Sequence, residues 1–581
     1  MKEQKTRGHK SQEHKIKTNW YKYYEETNTP VHIDYPDISI YEMLERSCSK
    51  RFCLTAYNYF GKKATFRDLL YQIQDCARSF KQIGLKENDK VTICMPNTPE
   101  SIASFYAVNK IGAVASMIHP MSAENEIKYY LNVSESKVLI TIDLAWDRIS
   151  KIIDQTNIEK VIIVSVKESM PLFLKIGYTM TKERKINKPK SSDKIVYWKD
   201  FIRLGKAYEG MIGMSKRGED EAVILYSGGT SGYPKGIVLS NLNFNALALQ
   251  SIAACGCLKE KDKVLSIMPI FHGFGLGICI HTVLNFGGCA VILPQFSAKT
   301  FDKLLKKYKP NVIAGVPTLY EALLNNPKIQ KMDLSYLKCV ISGGDSLSVS
   351  LKRKLDAFLQ SHGANIQVRE GYGLTECVTG SCLTPMNHYK EGSIGIPYPD
   401  TYYKIVKPGT EEELGYDEDG EIVLSGPSVM LGYLKNEEET KKTLRKHKDG
   451  FVWLHTGDLG SVDEDGFVYF KQRIKRMIVS SGYNIYPQHI ENVIDSHPSV
   501  LMSCVVAKKH PYKHQVAYAF VVLKDEIEPT EQIKQEIIEH CKKDLAKYSL
   551  PYGIEFRKSL PKTLVGKIAY TELIGENDCE E

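Results

Sequence analysis

Short apolar runs alternate with amphipathic stretches along most of the chain. The runs are rich in β-branched residues and are bounded by turn residues, which is typical of buried strands. Stretches with helical spacing lie between them, for example ESIASFYAVNKIGA at 100–113. This alternation predicts an α/β fold with largely parallel sheets that helices cover. The predicted strands are KVTICMP, KVLITID, KVIIVSV, AVILYS, KVLSIMP, CAVILP, NVIAGVP and KCVISGG.

The last hundred or so residues follow another pattern. Three strand-like runs, LMSCVVAKKH, QVAYAFVVLK and IEFRKSL, are separated by the helical stretches QHIENVIDSH and TEQIKQEIIEHCKKDLA. This order predicts a small α+β unit, with a hinge around Lys475. The predicted boundaries are a basic tail at 1–17, a large N-terminal domain at 18–471, a hinge at 472–479 and a small C-terminal domain at 480–581.

Charge adds one feature to this picture. The net charge is +8, and residues 1–17, with six Lys/Arg and two Glu, carry half of that excess. The tail lacks the apolar segment of a secretory signal, so we expect a disordered, solvated segment of a cytoplasmic protein. The remaining excess is small for 581 residues, so nucleic acid is not an expected partner.

The cysteines do not form a disulfide framework. Fourteen are scattered along the chain without a CxxC pair, and CGC at 255–257 is too short to chelate a metal alone. We therefore expect buried, reduced thiols. The stretch from Val264 to Ala298 contains no charged residue, but glycines and a proline interrupt it. We expect a strand end, a buried helix and the strand CAVILP there, and no membrane span.

The segment SGGTSGYPKG at 227–236 is the first candidate for chemistry. Its glycines let backbone N–H groups converge on phosphate oxygens, and its lysine supplies a point charge. It is not a Walker A loop, because Pro234 and Gly236 flank Lys235 where that loop has Gly and Ser/Thr. We expect the tip of a hairpin between two strands. The candidate phosphate ligands are Ser227, Gly228, Gly229, Thr230, Ser231, Gly232 and Lys235.

Five further glycine- and polar-rich stretches follow this segment along the chain: MPIFHGFGLG, SGGDS, EGYGLTE, LHTGDLG and LPKTLVGKIAY. With them the chain resembles the adenylate-forming superfamily, which includes acyl-CoA synthetases, non-ribosomal peptide adenylation domains and beetle luciferases. The resemblance runs from about residue 40 to the C-terminus. It implies a large N-terminal AMP-binding domain of layered α/β sheets plus a β-barrel-like subdomain, and a small, mobile α+β C-terminal domain.

The resemblance assigns the nucleotide contacts. It implies that Tyr372 stacks on adenine, that Thr375 contacts the α-phosphate, and that Glu376 helps to hold Mg²⁺. Mg²⁺ favours few carboxylates together with substrate phosphates, which suits a single Glu. Thr230 is the second expected metal and catalytic contact. The backbone positions that it places along the nucleotide and the acyl pocket are Gly343, Gly371 and Gly373.

Asp458 in LHTGDLG is the expected acceptor for both ribose hydroxyls, and Arg473 resembles the family's second ribose and phosphate contact. Lys567 resembles the lysine that enters the site for adenylation, where a cation relieves repulsion between two anions. His272, together with Phe271, is expected to border the carboxylate site and the thiol channel. We expect the glycines around His272 to leave room for a ligand.

The implied reaction joins a carboxylate to AMP, using ATP and Mg²⁺, and then passes the acyl group to the thiol of coenzyme A. Lys567 must leave before the thiol arrives, so the small domain is expected to swing about Lys475. Gly482 would then line the pantetheine channel. No Ser-His-Asp triad is required.

The matches are closest to the fatty-acid branch of the acyl-CoA synthetases, so a medium- or long-chain fatty acid is the expected substrate. Residues 170–190 hold six Lys/Arg and one Glu beside the apolar MPLFLKIGYTM. That pattern fits either peripheral contact with the inner surface of an anionic membrane or an ordinary surface helix. Two functional alternatives stay open: a fatty acyl-AMP ligase that loads an acyl carrier protein, and a non-catalytic acyl-adenylate sensor.

Overall fold

A computed structural model describes residues 18–181, 183, 186–227, 234–480, 483–525, 527–563 and 567–577. The tail at 1–17 and most of the glycine-rich loop lie outside these residues. The predicted disorder of the tail therefore stays a prediction.

Helices and strands alternate through the N-terminal part, and the α/β prediction is confirmed. The α-helices are α1 (Tyr21–Thr27), α2 (Ile40–Cys48), α3 (Phe66–Gln82), α4 (Pro99–Lys110), α5 (Glu124–Val133), α6 (Trp146–Ile149), α7 (Leu172–Thr181), α8 (Trp198–Gly205), α9 (Asn241–Cys255), α10 (Val283–Phe286), α11 (Phe301–Tyr308), α12 (Pro317–Leu324), α13 (Val349–Ser361), α14 (Glu437–Thr443), α15 (Pro487–Asp495), α16 (Glu531–Asp544) and α17 (Tyr570–Asn577). The strands are β1 (Thr55–Tyr59), β2 (Lys62–Thr65), β3 (Lys90–Cys94), β4 (Val114–Met117), β5 (Val138–Ile142), β6 (Lys160–Val164), β7 (Ile195–Tyr197), β8 (Glu221–Ser227), β9 (Lys235–Ser240), β10 (Lys263–Ser266), β11 (Cys289–Ile292), β12 (Val312–Gly315), β13 (Cys339–Gly343), β14 (Val368–Tyr372), β15 (Cys382–Leu383), β16 (Ile396–Pro397), β17 (Tyr402–Val406), β18 (Gly420–Ser425), β19 (Gly432–Tyr433), β20 (Leu444–Lys446), β21 (Val452–Val462), β22 (Val468–Arg473), β23 (Ile478–Ser480), β24 (Tyr483–Ile485), β25 (Val500–His510), β26 (His514–Leu523) and β27 (Gly553–Phe556).

Two mixed sheets form the body of the large N-terminal domain. One has the order β19-β9-β8-β4-β3-β5-β6-β7, and the other β16-β15-β14-β13-β12-β10-β11-β1-β2. Their inner strands pair in parallel, as β3 does with β4 and β5, and they are almost wholly buried. Burial on both faces explains why the predicted strands read as continuous apolar runs.

Strands β8 and β9 flank the candidate phosphate loop in the sequence and pair with each other as a hairpin. Its two strands are antiparallel, and Ser227 pairs with Lys235 at the loop end. Helix α9 follows directly, because the Ser240 side chain caps its first turn by accepting a hydrogen bond from the Asn243 N–H. The predicted hairpin is therefore confirmed for its strands.

A five-stranded antiparallel sheet forms the β-barrel-like part of the domain. Its order is β17-β18-β21-β20, and β22 pairs with the other end of β21. The β21–β22 register sets Asp458 opposite Arg473. Two predicted site residues are thus brought together by strand pairing alone.

The C-terminal part has its own sheet and core, as predicted for an α+β unit. Its sheet runs β24-β23-β26-β25, and β27 pairs in parallel with β26. Helices α15 and α16 bury Ile490, Ile494 and Ile537 against it. A short helical turn, Ile474–Arg476, follows β22 and contains the expected hinge residue Lys475.

The uncharged stretch from Val264 to Ala298 has the expected internal structure. It contains the rest of β10, a π-helical segment at Phe274–Thr282, α10 and β11. In the part of the chain that the structure describes, no helix has both the length and the apolar character needed to cross a bilayer.

Candidate active site

Asp458 is a buried carboxylate, 1% exposed, at the centre of the candidate site. Its Oδ2 accepts a hydrogen bond from the Tyr372 hydroxyl at 2.7 Å, and Arg473 Nε lies 3.3 Å from its Oδ1. Burial raises the pKa of Asp458, and the Arg473 charge opposes that shift. Oδ1 receives no hydrogen bond from the described residues. A buried acceptor without a donor is unfavourable, so this oxygen is poised to accept a ligand hydroxyl.

A chain of buried side chains fixes the backbone next to Asp458. Glu421 Oε1 accepts a hydrogen bond from the Gly457 N–H at 3.1 Å, and its Oε2 lies 3.0 Å from His455 Nδ1. His455 Nε2 lies 2.9 Å from His447 Nε2, so one proton is shared between the two rings. We did not single out these residues in the sequence. The available signal was HTGD, which puts His455 three positions before Asp458.

Lys567 reaches the same cleft from the C-terminal domain. A Cβ added to Gly344 would lie 3.9 Å from Lys567 Cε. Burial lowers the pKa of Lys567, whereas the charges of Asp345 and Asp458 act in the opposite direction. A cation from one domain and a carboxylate from the other thus share one cleft.

The PKT…GK frame has a local role in holding Lys567. The Thr563 N–H donates to the Lys567 carbonyl at 2.7 Å, and the Lys567 N–H donates to Thr563 Oγ1 at 3.1 Å. Lys562 and Ile568 form an isolated bridge beside this pair. These bonds fix the backbone of Lys567 against Thr563.

His272 borders the cleft in front of the π-helical segment. Its Nδ1 accepts a hydrogen bond from the Phe274 N–H at 3.1 Å, which leaves the ring proton on Nε2. Burial, and then the charge of Lys567, lower the pKa of His272 to about 3. The ring is therefore neutral at physiological pH. Phe271 packs edge-on against His119, with ring centroids 4.3 Å apart.

The expectation that the glycines after His272 leave room for a ligand is wrong for two of them. A Cβ on Gly273 would lie 1.6 Å from the Val378 carbonyl oxygen, and one on Gly275 would lie 2.0 Å from the Pro269 carbonyl oxygen. Close backbone packing, and not ligand space, requires glycine at both positions.

The described end of the phosphate hairpin holds a charge pair. Lys235 Nζ forms an ion pair with Glu439 on α14, and it lies 5.0 Å from the Tyr433 ring centroid. The Lys235 ammonium group lowers the pKa of Glu439. Ser227 ends β8 opposite this lysine. The remaining predicted phosphate ligands, Gly228, Gly229, Thr230, Ser231 and Gly232, lie outside the described residues, and so does Gly482.

Glu376 lies in a helical turn, Thr375–Cys377, directly after β14. Its Oε1 accepts a hydrogen bond from the Tyr433 hydroxyl at 2.9 Å. The charge of Asp458, and to a smaller extent that of Glu376, raise the pKa of Arg473 on β22. Thr375 is buried. A single carboxylate near basic groups fits a Mg²⁺ ion that takes its other oxygens from phosphates and water.

The glycines of the neighbouring strand ends have different reasons to be there. A Cβ on Gly343 would lie 2.9 Å from the Gly371 carbonyl oxygen, and one on Gly373 would lie 1.8 Å from the Thr379 carbonyl oxygen. Both positions are needed for packing between chain segments. A Cβ on Gly371 would make only ordinary contacts, with its nearest atom 3.6 Å away.

An apolar cleft opens at these strand ends. Gly343, Gly344, Gly371 and Tyr372 line it beside the Asp458–Lys567 corner, and most of the other lining residues come from α9, the π-helical segment, α10 and the strands β10, β12, β13 and β15. No charged side chain is among its described lining residues. Its apolar walls include Leu258, Val264, Ile278 and Phe286.

Asp458, Lys567 and the neutral His272 therefore lie near one another beside an apolar cleft. The fold and this arrangement of residues are those expected of an adenylate-forming enzyme. The model of the AMP-binding enzyme family matches residues 44–434, and that of the AMP-binding enzyme C-terminal domain matches residues 489–567. The chain belongs to the AMP-binding enzyme family, and it is an AMP-forming acid–thiol ligase that uses ATP and coenzyme A.

Several relatives are similar over nearly their whole length. The long-chain-fatty-acid–CoA ligase of Bacillus subtilis (strain 168) is 34% identical over 553 residues, which cover 94% of this chain and 96% of the relative. That of Yersinia pestis is 30% identical over 569 residues, 96% of this chain and 98% of the relative. The crystal structure of the anthranilate CoA ligase AuaEII with anthranoyl-AMP has a TM-score of 0.81 at 24% identity, over 95% of this chain and 98% of that one.

Proposed function

We propose that the protein activates a medium- or long-chain fatty acid as its acyl-AMP and then transfers the acyl group to coenzyme A. The observation that carries this proposal is the position of Lys567 and Asp458 at the mouth of a cleft without charged side chains. An aliphatic tail suits such a cleft, because burial of apolar surface drives binding. The relatives named as long-chain-fatty-acid–CoA ligases support the same substrate class.

In the first half-reaction, a carboxylate oxygen attacks the α-phosphorus of ATP and pyrophosphate leaves. We assign the ribose hydroxyls to Asp458, and the charge between carboxylate and α-phosphate to Lys567, because a cation touching both anions stabilises the transition state. Tyr372 and Thr375 would orient the adenine and the α-phosphate. Mg²⁺, held by Glu376 and Thr230, would neutralise the charge of the leaving pyrophosphate.

In the second half-reaction, the thiolate of coenzyme A attacks the acyl carbon and AMP leaves. Lys567 lies at the mouth of the cleft in the described arrangement, which suits the first half-reaction, where it would contact both anions. We therefore propose that residues 480–581 rotate about the segment 472–479, with Lys475 as hinge residue and Gly482 lining the thiol channel. Rotation about a short hinge is an established way to alternate two site arrangements.

A panel of fatty acids of graded length, assayed for AMP release with and without coenzyme A, tests the proposed substrate. We expect AMP release that depends on coenzyme A and peaks at medium or long chains. Release with an acyl carrier protein but not with coenzyme A would favour the carrier-loading alternative. Absence of acid-dependent pyrophosphate exchange would favour the non-catalytic sensor.

We also propose that α7 contacts the cytoplasmic face of an anionic membrane. The helix buries no side chain, and four large apolar side chains on it are exposed: Leu172 by 74%, Phe173 by 68%, Ile176 by 54% and Met180 by 68%. Lys175, Lys188 and Lys190 lie on or near it in the chain. Apolar insertion beside basic residues favours anionic lipid surfaces. Of the predicted basic segment 170–190, residues 182, 184 and 185 lie outside the described residues.

Sedimentation with vesicles tests this contact. We expect binding to phosphatidylglycerol vesicles to fall about 10-fold in a Phe173→Ser/Ile176→Ser variant, since two side chains lose apolar burial. Tyr512→Ser, at a side chain that is 90% exposed elsewhere, is the control. Equal binding of both variants would overturn the proposed contact and leave an ordinary surface helix.

A further inference from the structure

Three cysteine thiols converge at one end of α9. Cys255 and Cys257 follow each other across one glycine, and Cys339 begins β13. The Sγ atoms of Cys255 and Cys257 are 3.8 Å apart, and those of Cys255 and Cys339 are 3.6 Å apart. All three sulfur atoms lie within 4.8 Å of one another. The CGC segment alone is too short to chelate, but a strand distant in sequence supplies the third thiol.

The backbone holds this trio in place. Gly256 ends α9 with φ of 67°, in the left-handed region that favours glycine. That turn lets the side chains on either side of Gly256 point to one spot. Cys339 is fixed by the parallel pairing of β12 with β13. Cys255 and Cys339 are buried, and Cys257 is partly exposed, which leaves a route for a small ion from solvent.

A buried guanidinium lies beside the trio. Arg369 is 4% exposed, and its Nη1 lies 3.8 Å from Cys255 Sγ. It also donates to the carbonyls of Ala254 and Cys255, at 2.8 and 2.7 Å. Among the described residues, no carboxylate forms an ion pair with it. A buried cation without an acidic partner favours a neighbouring thiolate.

We propose that Cys255, Cys257 and Cys339 bind one thiophilic d¹⁰ metal ion, with Zn²⁺ as the reference ligand. Tetrahedral Zn²⁺ with Zn–S bonds of about 2.3 Å places its sulfur ligands roughly 3.8 Å apart. The two sulfur separations at Cys255 are close to that value. Three thiolates and Zn²⁺ carry one net negative charge, which the Arg369 guanidinium balances. Three protein ligands leave a fourth position for water or another small donor.

Direct metal binding tests the site without any assay of ligase activity. Reduced, metal-free full-length protein is titrated with Co²⁺, which gives a sulfur-to-cobalt charge-transfer band when thiolates bind it, and Zn²⁺ is then added to displace the cobalt. We expect one equivalent of each ion. Cys339→Ser should weaken Zn²⁺ binding at least about 100-fold, because a thiolate ligand is lost. Cys76→Ser, which removes another fully buried thiol on α3, should leave binding unchanged.

Alkylation of the wild-type protein gives a second readout that needs no variant. One equivalent of Zn²⁺ should slow the reaction of the partly exposed Cys257 with N-ethylmaleimide, as mapped by mass spectrometry, and leave the exposed Cys53 unaffected. Three results would each overturn the proposal: no charge-transfer band, unchanged Zn²⁺ affinity in Cys339→Ser, or no protection of Cys257. These results do not depend on adenylation, so the proposed ligase function and the metal site can fail separately.

Discussion

The Asp458 carboxylate and two candidate site lysines, Lys567 and Lys235, are held in different ways. Asp458 and Tyr372 are fixed on strands of the N-terminal domain, with Arg473 opposite Asp458 in the register. Lys567 lies in the C-terminal domain. Lys235 lies at the loop end of the β8–β9 hairpin, where it forms an ion pair with Glu439. The Asp458 carboxylate is held by paired strands of the N-terminal domain, whereas the two ammonium groups lie on other segments of the chain.

This difference matches what two successive reactions in one cleft require. Under the proposed function, the nucleotide stays bound through both half-reactions, so Asp458, as its ribose acceptor, would gain from being preorganised. The Lys567 charge would be needed only for adenylation, and it would then occupy space that the thiol needs. Placing that charge on another domain allows it to be withdrawn.

Removing the Lys567 ammonium group should have the largest effect on adenylation. In Lys567→Ala we expect pyrophosphate exchange to fall about 100- to 1000-fold, because a cation at the developing charge is lost. Thioester formation from supplied acyl-AMP should change little, since the proposed rotation takes the lysine out of the cleft. Lys562→Ala, in the same frame, is the control. Equal losses in both half-reactions would show that Lys567 is a fixed part of the site.

Changing the Asp458 carboxylate should instead affect nucleotide binding. Asp458→Asn replaces a charged acceptor that has one oxygen without a donor, so the KM for ATP should rise about 10- to 100-fold. The loss should appear in both half-reactions, measured as ATP-dependent exchange and as acyl-AMP affinity. Asp417→Asn, at an exposed loop, should behave like wild type. An unchanged KM would remove Asp458 from the nucleotide site.

The buried support of this corner should have a smaller effect. His455→Leu leaves Glu421 without its ring partner, so the Gly457 N–H and the neighbouring Asp458 lose their anchor. We expect the KM for ATP to rise about 5- to 10-fold with a smaller change in kcat. His455→Gln, which can still donate to Glu421, should restore most of the affinity. In a double-mutant cycle with Asp458→Asn, additive effects would contradict a positioning role.

Freeing Lys235 from its ion pair with Glu439 should have the smallest effect on the KM for ATP, and the change should be a decrease. Glu439→Gln removes the carboxylate that holds Lys235, so the KM for ATP should fall about 2- to 5-fold at low salt. The gain should shrink as salt concentration rises. Glu437→Gln, an exposed position of the same helix, is the matched control. A higher KM in Glu439→Gln would mean that this carboxylate supports the site.

The helices and strands could be predicted from the sequence better than the contacts between residues that are distant in the chain. The strand runs are recognisable because both faces of the large sheets are buried, and the motif residues Asp458 and Lys567 stand out by their local frames. The long-range partners of other candidate residues do not stand out in this way. Glu439 is 204 positions from Lys235, and Cys339 is 84 positions from Cys255. Such pairs depend on how segments distant in the sequence pack together, which no local pattern encodes.

The most direct test of acid activation follows the carboxylate oxygens. A fatty acid labelled with ¹⁸O in both carboxylate oxygens is converted with ATP and coenzyme A, and the AMP is analysed by mass spectrometry. Attack on the α-phosphorus, followed by release of AMP, transfers one labelled oxygen to AMP, so its mass should rise by about 2 Da. Unlabelled AMP, with the label only in the acyl product, pyrophosphate or water, would contradict the acyl-adenylate route.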